Sequence, residues 1–130
     1  MAQIRDGLEK ILANDRGVPF ALVAEHDGAA CGNALVIRSD LSERPNLTPW
    51  LAALWVDEAM RLRGIAASLL EEGCRRSAAL GIERLHLCSR GALQGFYTRL
   101  GWAIVEENVG PHAQTVYVRR LTAPPARTTG

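Results

Sequence analysis

The sequence predicts an α/β (α+β) fold with a single mixed β-sheet flanked by helices, on three observations. A strand–helix–strand passage runs from residue 50 to 88, where strand-like alternation gives way to helical spacing and returns. Two strand-like runs meet at Asp27-Gly28, and two more, "WAIVEENV" and "AQTVYVRRL", close the pattern on either side of "GPH". A strand–helix–strand crossover is right-handed and makes a parallel pair, whereas hairpins add antiparallel neighbours, so the sheet is mixed.

Each element follows in order. Residues 3–15, "QIRDGLEKILAND", carry Ile4, Leu8, Ile11 and Leu12 at helical spacing and read as an amphipathic helix. "GVPFALVAEHDGAACGNALVIRSD" reads as a hairpin, because Asp-Gly tolerates the positive φ that a tight turn needs. "LSERPNLTP" is a polar loop. "WLAALWVD" is a strand, with Trp50, Ala52, Leu54 and Val56 on one face and Leu51, Ala53 and Trp55 on the other. Both faces are apolar, so it is expected at the sheet centre and covered on both sides. Trp50 and Trp55, five apart, are therefore assigned to opposite faces.

From Ile65 to about Leu80 the spacing is helical and stops at Gly81. "IERLHLCS" is a further strand and "ALQGFYTRL" a short helix ending at Gly101. Residues 1–121 read as one domain, and the tail 122–130, "TAPPARTTG", as disordered. There are no internal repeats.

Composition excludes several classes. With 48% apolar and 22% charged residues the chain is globular. A net charge of +1 gives no electrostatic case for nucleic acid or an anionic membrane surface. The excess of arginine over the one lysine, Lys10, reads as a GC-rich coding bias. Cys31, Cys74 and Cys88 are odd in number and scattered, with no histidine close enough to suggest a zinc site, so no metal is expected. Reduced thiols and the lack of a long apolar run point to a cytoplasmic protein.

The turn "RLRGIA", between the strand at 50–57 and the long helix, is the most informative stretch. A helix N-terminus has unpaired N–H groups and a partial positive charge, and a glycine at its entry lets an anion approach the backbone. Gly64 stands there, followed by Ala66, Ala67 and Ser68, with Arg61 and Arg63 adding charge. The turn is neither a Walker A loop nor Gly-x-Gly-x-x-Gly. On chemistry alone, a pyrophosphate cradle and an ordinary turn with solvated arginines both remain open.

"RLRGIA" resembles the Arg/Gln-x-x-Gly-x-Gly/Ala signature of the GNAT superfamily of acetyl-CoA-dependent N-acetyltransferases. "FYTRLGW", residues 96–102, is similar to that family's Phe-Tyr-x-x-x-Gly-Phe/Trp hallmark, and the two occur in the family's order. The resemblance covers roughly residues 18–121. It implies a strand 50–57 that carries a bulge and splays from the strand at 83–88. Pantetheine would enter that splay and pair with backbone groups of Leu54, Trp55 and Val56, like an added strand. The pyrophosphate would rest on the N–H groups of Arg61, Leu62, Arg63, Gly64, Ile65 and Ala66. Tyr97 is implied as the general acid for the departing thiolate; the bland alternative is a core tyrosine beside Phe96.

No general base is assigned. Asp57 and Glu58 fall beside the expected phosphates, Glu25 reads as an exposed strand residue, His86 as structural and His112 as a solvated turn residue. Neither Cys74 nor Cys88 has the basic neighbours of a nucleophile. Arg90 stands where the family often has an asparagine.

The N-terminus looks shortened: one helix replaces the usual strand and two helices. The first strand is thus expected to be absent, leaving part of the acceptor wall to a second subunit, a possible homodimer. The implied function is transfer of an acetyl group from acetyl-CoA to a primary amine of a small molecule or peptide, with no metal, nucleic-acid or membrane partner. Two alternatives stay open: a degenerate GNAT fold that binds CoA as a sensor, and a small nucleotide- or RNA-binding domain. The last is weakened by the near-zero charge and by only two Phe and two Tyr.

Overall fold

The computed structural model describes residues 10–13, 17–61 and 64–121. They form one seven-stranded mixed sheet in the order β1-β2-β3-β4-β5-β7-β6. The strands are β1 (Lys10–Ala13), β2 (Phe20–His26), β3 (Ala29–Ile37), β4 (Trp50–Val56), β5 (Arg84–Ser89), β6 (Ala103–Val109) and β7 (Gln114–Arg120). Helix α1 (Ile65–Ala79) connects β4 to β5, and helix α2 (Gln94–Arg99) connects β5 to β6. Among the described strands only β4 and β5 pair in parallel, as the right-handed crossover requires.

The β2–β3 turn has the two-residue form read from sequence, with φ 53° at Asp27 and 75° at Gly28. The N-terminus differs from expectation. Lys10–Ala13 is a strand, paired antiparallel with β2 through Lys10↔Glu25 to Ala13↔Leu22, not the end of a helix over 3–15. Residues 3–9 and 14–15 of that expected helix lie outside the described residues. Over Lys10–Ala13 the short helical pattern loses to an open edge of β2, whose backbone groups gain ladder partners there. The first strand is therefore present. Six residues separate β1 from β2.

Helix α1 lies across β2, β3 and β4. Leu69, Leu70 and Cys74 pack there against Leu22, Val36 and Leu51, and the core continues through Leu85 and Leu87 to Tyr97, Trp102 and Tyr117. Gly73 makes this approach possible, since a Cβ there would come within 2.8 Å of Leu51 Cδ1 and 3.4 Å of Leu22 Cδ1. Both helices thus cover one face. On the other, Trp50 is wholly buried among Leu41, Val109 and Val116, with Leu47 from the 38–49 loop beside it.

Strand β4 corrects two further expectations. Leu35 pairs with Ala52 and Asn33 with Trp55, so two β4 residues, Ala53 and Leu54, oppose the single Ala34 of β3. This is a β-bulge, with Ala53 at φ 54°. It reverses the side-chain alternation: Leu51 and Val56 both enter the core under α1, which places Trp55 on the face of Trp50, not opposite it. Nor is that face covered along its length, because Trp55 stays 48% exposed. Among the described residues no helix is long and apolar enough to cross a membrane.

Candidate active site

The site begins where β4 and β5 part. Their only register pair is Trp50↔His86, and the His86 amide donates to Pro49 O at 3.0 Å. Beyond it the two strands diverge into the splay that the resemblance implies. Backbone directions in β4 follow from its bonds to β3. The Asp57 amide donates to Cys31 O at 2.7 Å, and Trp55 O lies so close to Gly32 that a Cβ there would sit 2.9 Å from it. Those groups face β3. Because N–H and C=O of one trans peptide point opposite ways, the Val56 amide and carbonyl face the splay. Leu54 shares that direction by the two-residue period of a strand. The backbone of Trp55 is turned to β3, which leaves Leu54 and Val56 as the strand residues able to pair with a ligand.

The turn after β4 is built by local bonds. Asp57 caps a short 3-10 turn, Glu58–Met60, through Oδ1 to the Ala59 amide at 3.4 Å, and Met60 N donates to Asp57 O at 2.8 Å. Asp57 and Glu58 therefore shape the turn. The Arg61 guanidinium folds back, its Nε donating to Val56 O at 3.1 Å. Leu62 and Arg63 lie outside the described residues. Gly64 enters α1 at φ 80°, ψ 8°, a left-handed conformation that glycine adopts without strain, and no side chain caps the helix. The first helical bond runs from Ser68 N to Gly64 O at 3.0 Å. The amides of Ile65, Ala66 and Ala67 thus have no intrahelical acceptor, and Gly64 is exposed beside them.

A groove of about 380 Å³ joins these parts. Val56, Arg61, Gly64, Ile65 and Ala66, all singled out in the sequence, line one side, and Leu93 and Phe96 from the β5–α2 segment close the other. Five of the nine expected ligand-binding residues are thus brought together around an apolar slot with a positive, N–H-rich end. Leu54 and Trp55 are not on its wall.

Tyr97 follows Phe96 but turns inward. It is buried, with its ring 5.1 Å from those of Phe96 and Tyr117. Tyr117 in turn accepts from Ser89 Oγ at 3.2 Å. Burial pushes the Tyr97 hydroxyl above its ordinary pKa, and the neighbouring Tyr117 and Cys88 act in the same direction. It is therefore neutral at pH 7.

The remaining candidates fall away from the splay. Glu25 is on β2, two strands from β4. His86 is buried at the closed end, its Nδ1 3.2 Å from Pro49 O and its ring 5.6 Å from Trp50; burial lowers its pKa and keeps it neutral. His112 and Arg90 are exposed. Burial pushes the Cys74 thiol up to about 11 and the Cys88 thiol up to about 12, so neither is a thiolate nucleophile near neutral pH. Among the described residues no three His, Cys, Asp or Glu side chains are grouped to hold a metal.

Sequence reasoning missed Met60, which lines the groove together with Ala67, one of the small residues already noted after Gly64, and gave Phe96 no role beyond its motif. It also passed over Asn33, whose Nδ2 donates to Ala53 O at 2.8 Å across the bulge. A lone polar side chain within "CGNALVI" was the available signal.

Residues 19–104 match the acetyltransferase (GNAT) domain family. No curated protein matches the chain. Among solved structures, a GNAT family acetyltransferase from Elizabethkingia anophelis with acetyl-CoA bound superposes with a TM-score of 0.70 at 12% identity, covering 90% of this chain and all (100%) of that one. A GNAT family N-acetyltransferase from Escherichia coli in complex with CoA gives 0.64 at 26% identity, over 79% of this chain and 59% of that one. N-acetylglutamate synthase from Neisseria gonorrhoeae, complexed with coenzyme A and N-acetyl-glutamate, gives 0.63 at 21% identity, over 78% of this chain but 26% of its own.

Proposed function

This chain belongs to the GNAT acetyltransferase family, and from that premise we propose that it moves an acetyl group from acetyl-CoA to a primary amine of a small molecule or peptide. The single observation that carries the reading is the splay: β4 leaves β5 after one register pair and turns the backbone of Leu54 and Val56 into the gap. Pantetheine is an extended chain with alternating amides, which an open strand edge can bind as it would bind another strand. Arg61 and the amides of Gly64, Ile65 and Ala66, with Leu62 and Arg63 from the same turn, receive the pyrophosphate. The groove beside Leu93 and Phe96 excludes water from the chain between them.

Transfer is a direct attack in a ternary complex. The neutral amine nitrogen forms a bond to the acetyl carbon, the C–S bond breaks, the amine proton passes to solvent and the thiolate takes a proton as it leaves. A backbone N–H in the splay polarises the carbonyl and stabilises the oxyanion. Tyr97, neutral through its burial, is the proposed donor of the proton to sulfur. The reaction needs no metal. A homodimer is a possible source of further acceptor contacts, and a cytoplasmic location fits the reduced thiols.

One observation favours a second reading, in which the chain binds CoA without transfer: Tyr97 packs on Tyr117, and its neighbour Phe96 faces the groove instead. Release of free CoA from acetyl-CoA, followed with a thiol reagent across a panel of primary amines and short peptides, separates the two. Amine-dependent release supports the enzyme. Tight binding of acetyl-CoA with no release by any amine would leave the sensor.

A further inference from the structure

We infer that Asn33 is a positioning residue that holds the β4 bulge in its ligand-competent shape. The inference rests on the reading of the splay as an acetyl-CoA site and adds to it a residue on a different strand.

The bulge has a weak point. Ala53 sits at φ 54°, a left-handed conformation that costs an L-residue with a Cβ about tenfold in population or more. A bulged residue also leaves the ladder, so its carbonyl needs another partner. Asn33 meets both needs: its Nδ2 donates to Ala53 O at 2.8 Å. It does so from β3, where it pairs in register with Trp55 and stands on the face opposite the buried Ala34 and Val36.

The consequence reaches the splay through one peptide unit. The Ala53–Leu54 bond is trans, since the cis bonds are at Val18–Pro19 and Thr48–Pro49. Carbonyl and amide of a planar trans peptide point in opposite directions. Tethering Ala53 O to Asn33 therefore aims the Leu54 N–H away from that tether, into the gap between β4 and β5. The same bulge, by reversing the side-chain alternation, seats Val56 in the core. Without the tether, Ala53 relaxes toward ordinary strand geometry, and both the amide direction and the width of the splay change.

The test compares the wild type with Asn33→Ala, Asn33→Asp and the double variant Asn33→Ala/Ala53→Gly. Calorimetry reads the Kd for acetyl-CoA, and the ligand-free backbone scalar coupling and Cα shift of residue 53 report its φ. Asp has the size of Asn but no N–H to donate. Both single variants are expected to bind acetyl-CoA about tenfold more weakly, with Ala53 leaving the left-handed region. Ala53→Gly restores binding in the double variant, because glycine holds a positive φ without the tether. Unchanged affinity in Asn33→Ala, or an Ala53 that stays left-handed, overturns the assignment while leaving the splay reading intact. A loss of folding that Ala53→Gly does not restore makes Asn33 a fold residue and overturns it equally. If the wild type itself ignores acetyl-CoA, the splay reading fails and this inference falls with it.

Discussion

The charge at the helix entry can be isolated at Gly64, with Ala, Gln and Glu in its place. All three variants carry the same backbone cost, because Gly64 is left-handed at φ 80° and a Cβ built there meets nothing within 4 Å. That cost is about 1–2 kcal/mol. At about 2.1 cal/mol/K of unfolding entropy per residue, a chain of this length loses about 4 °C of Tm per kcal/mol. Each variant should therefore melt about 4–8 °C below the wild type, within a degree or two of the others. Affinity for acetyl-CoA then separates them. A carboxylate about 4 Å from a phosphate charge costs about 1 kcal/mol in water-like screening and about 4 where solvent is partly excluded. Gly64 is exposed, so the low end applies. Gly64→Glu should bind about five- to thirtyfold more weakly than the equally long, uncharged Gly64→Gln. The gap should close in 0.5 M salt. Calorimetry at low and high salt provides the assay. Equal affinities for the Gln and Glu variants at low salt would refute the placing of an anion at this helix entry.

Two other predictions concern the interior. Tyr97→Phe should leave the Kd for acetyl-CoA nearly unchanged while slowing transfer on the order of 10²-fold, as for a lost general acid. Since burial raises the Tyr97 pKa, this hydroxyl stays protonated up to its ordinary value near 10, and transfer should show no loss from it between pH 7 and 9. An unslowed variant in a stopped-flow thiol assay would make Tyr97 a core residue. Glu72 is buried within α1 against two arginines. Burial opposes its ionised form, but hydrogen bonds from Arg75 and Arg76, the latter with Nε to Oε2 at 2.7 Å, hold its carboxyl below the ordinary range. Its folded pKa is thus depressed, so this stabilisation is present above about pH 4.5 and is lost as pH falls through the lowered value. Glu72→Gln should cost about 2 kcal/mol at pH 7 and much less at pH 3, by urea unfolding. A cost independent of pH would contradict the ion-pair account.

Much of the fold was legible because its signals are local. Asp27-Gly28 marks the hairpin by its backbone tolerance, Gly81 ends α1, and the change from two-residue to helical period locates the crossover. The glycine entry to α1 was legible for the same reason, since Gly64 and its small neighbours are adjacent in sequence. What failed depends on partners distant in the chain. Lys10–Ala13 became a strand because β2 offered an edge, which no property of "KILA" announces. The bulge at Ala53 is invisible in "WLAALWV", because alanine carries no turn signal and the conformation is held by Asn33, 20 residues away. That one extra residue moved Trp55 to the face of Trp50. It also turned the Trp55 backbone to β3, away from the gap between β4 and β5. Tyr97 shows the same limit: the motif supplies the residue, but its packing on Tyr117 of β7 decides how far it reaches.

The claim that the splay between β4 and β5 receives acetyl-CoA is tested most directly by a thermal-shift titration with acetyl-CoA, using ATP as the control anion. A ligand at about 100 times its Kd adds about 2.7 kcal/mol, which for this chain is a rise in Tm of about 10 °C. The account predicts that rise with acetyl-CoA and none with ATP, since ATP has phosphates for the turn but no pantetheine for the strand edge. A shift with ATP alone, or with neither, would contradict it.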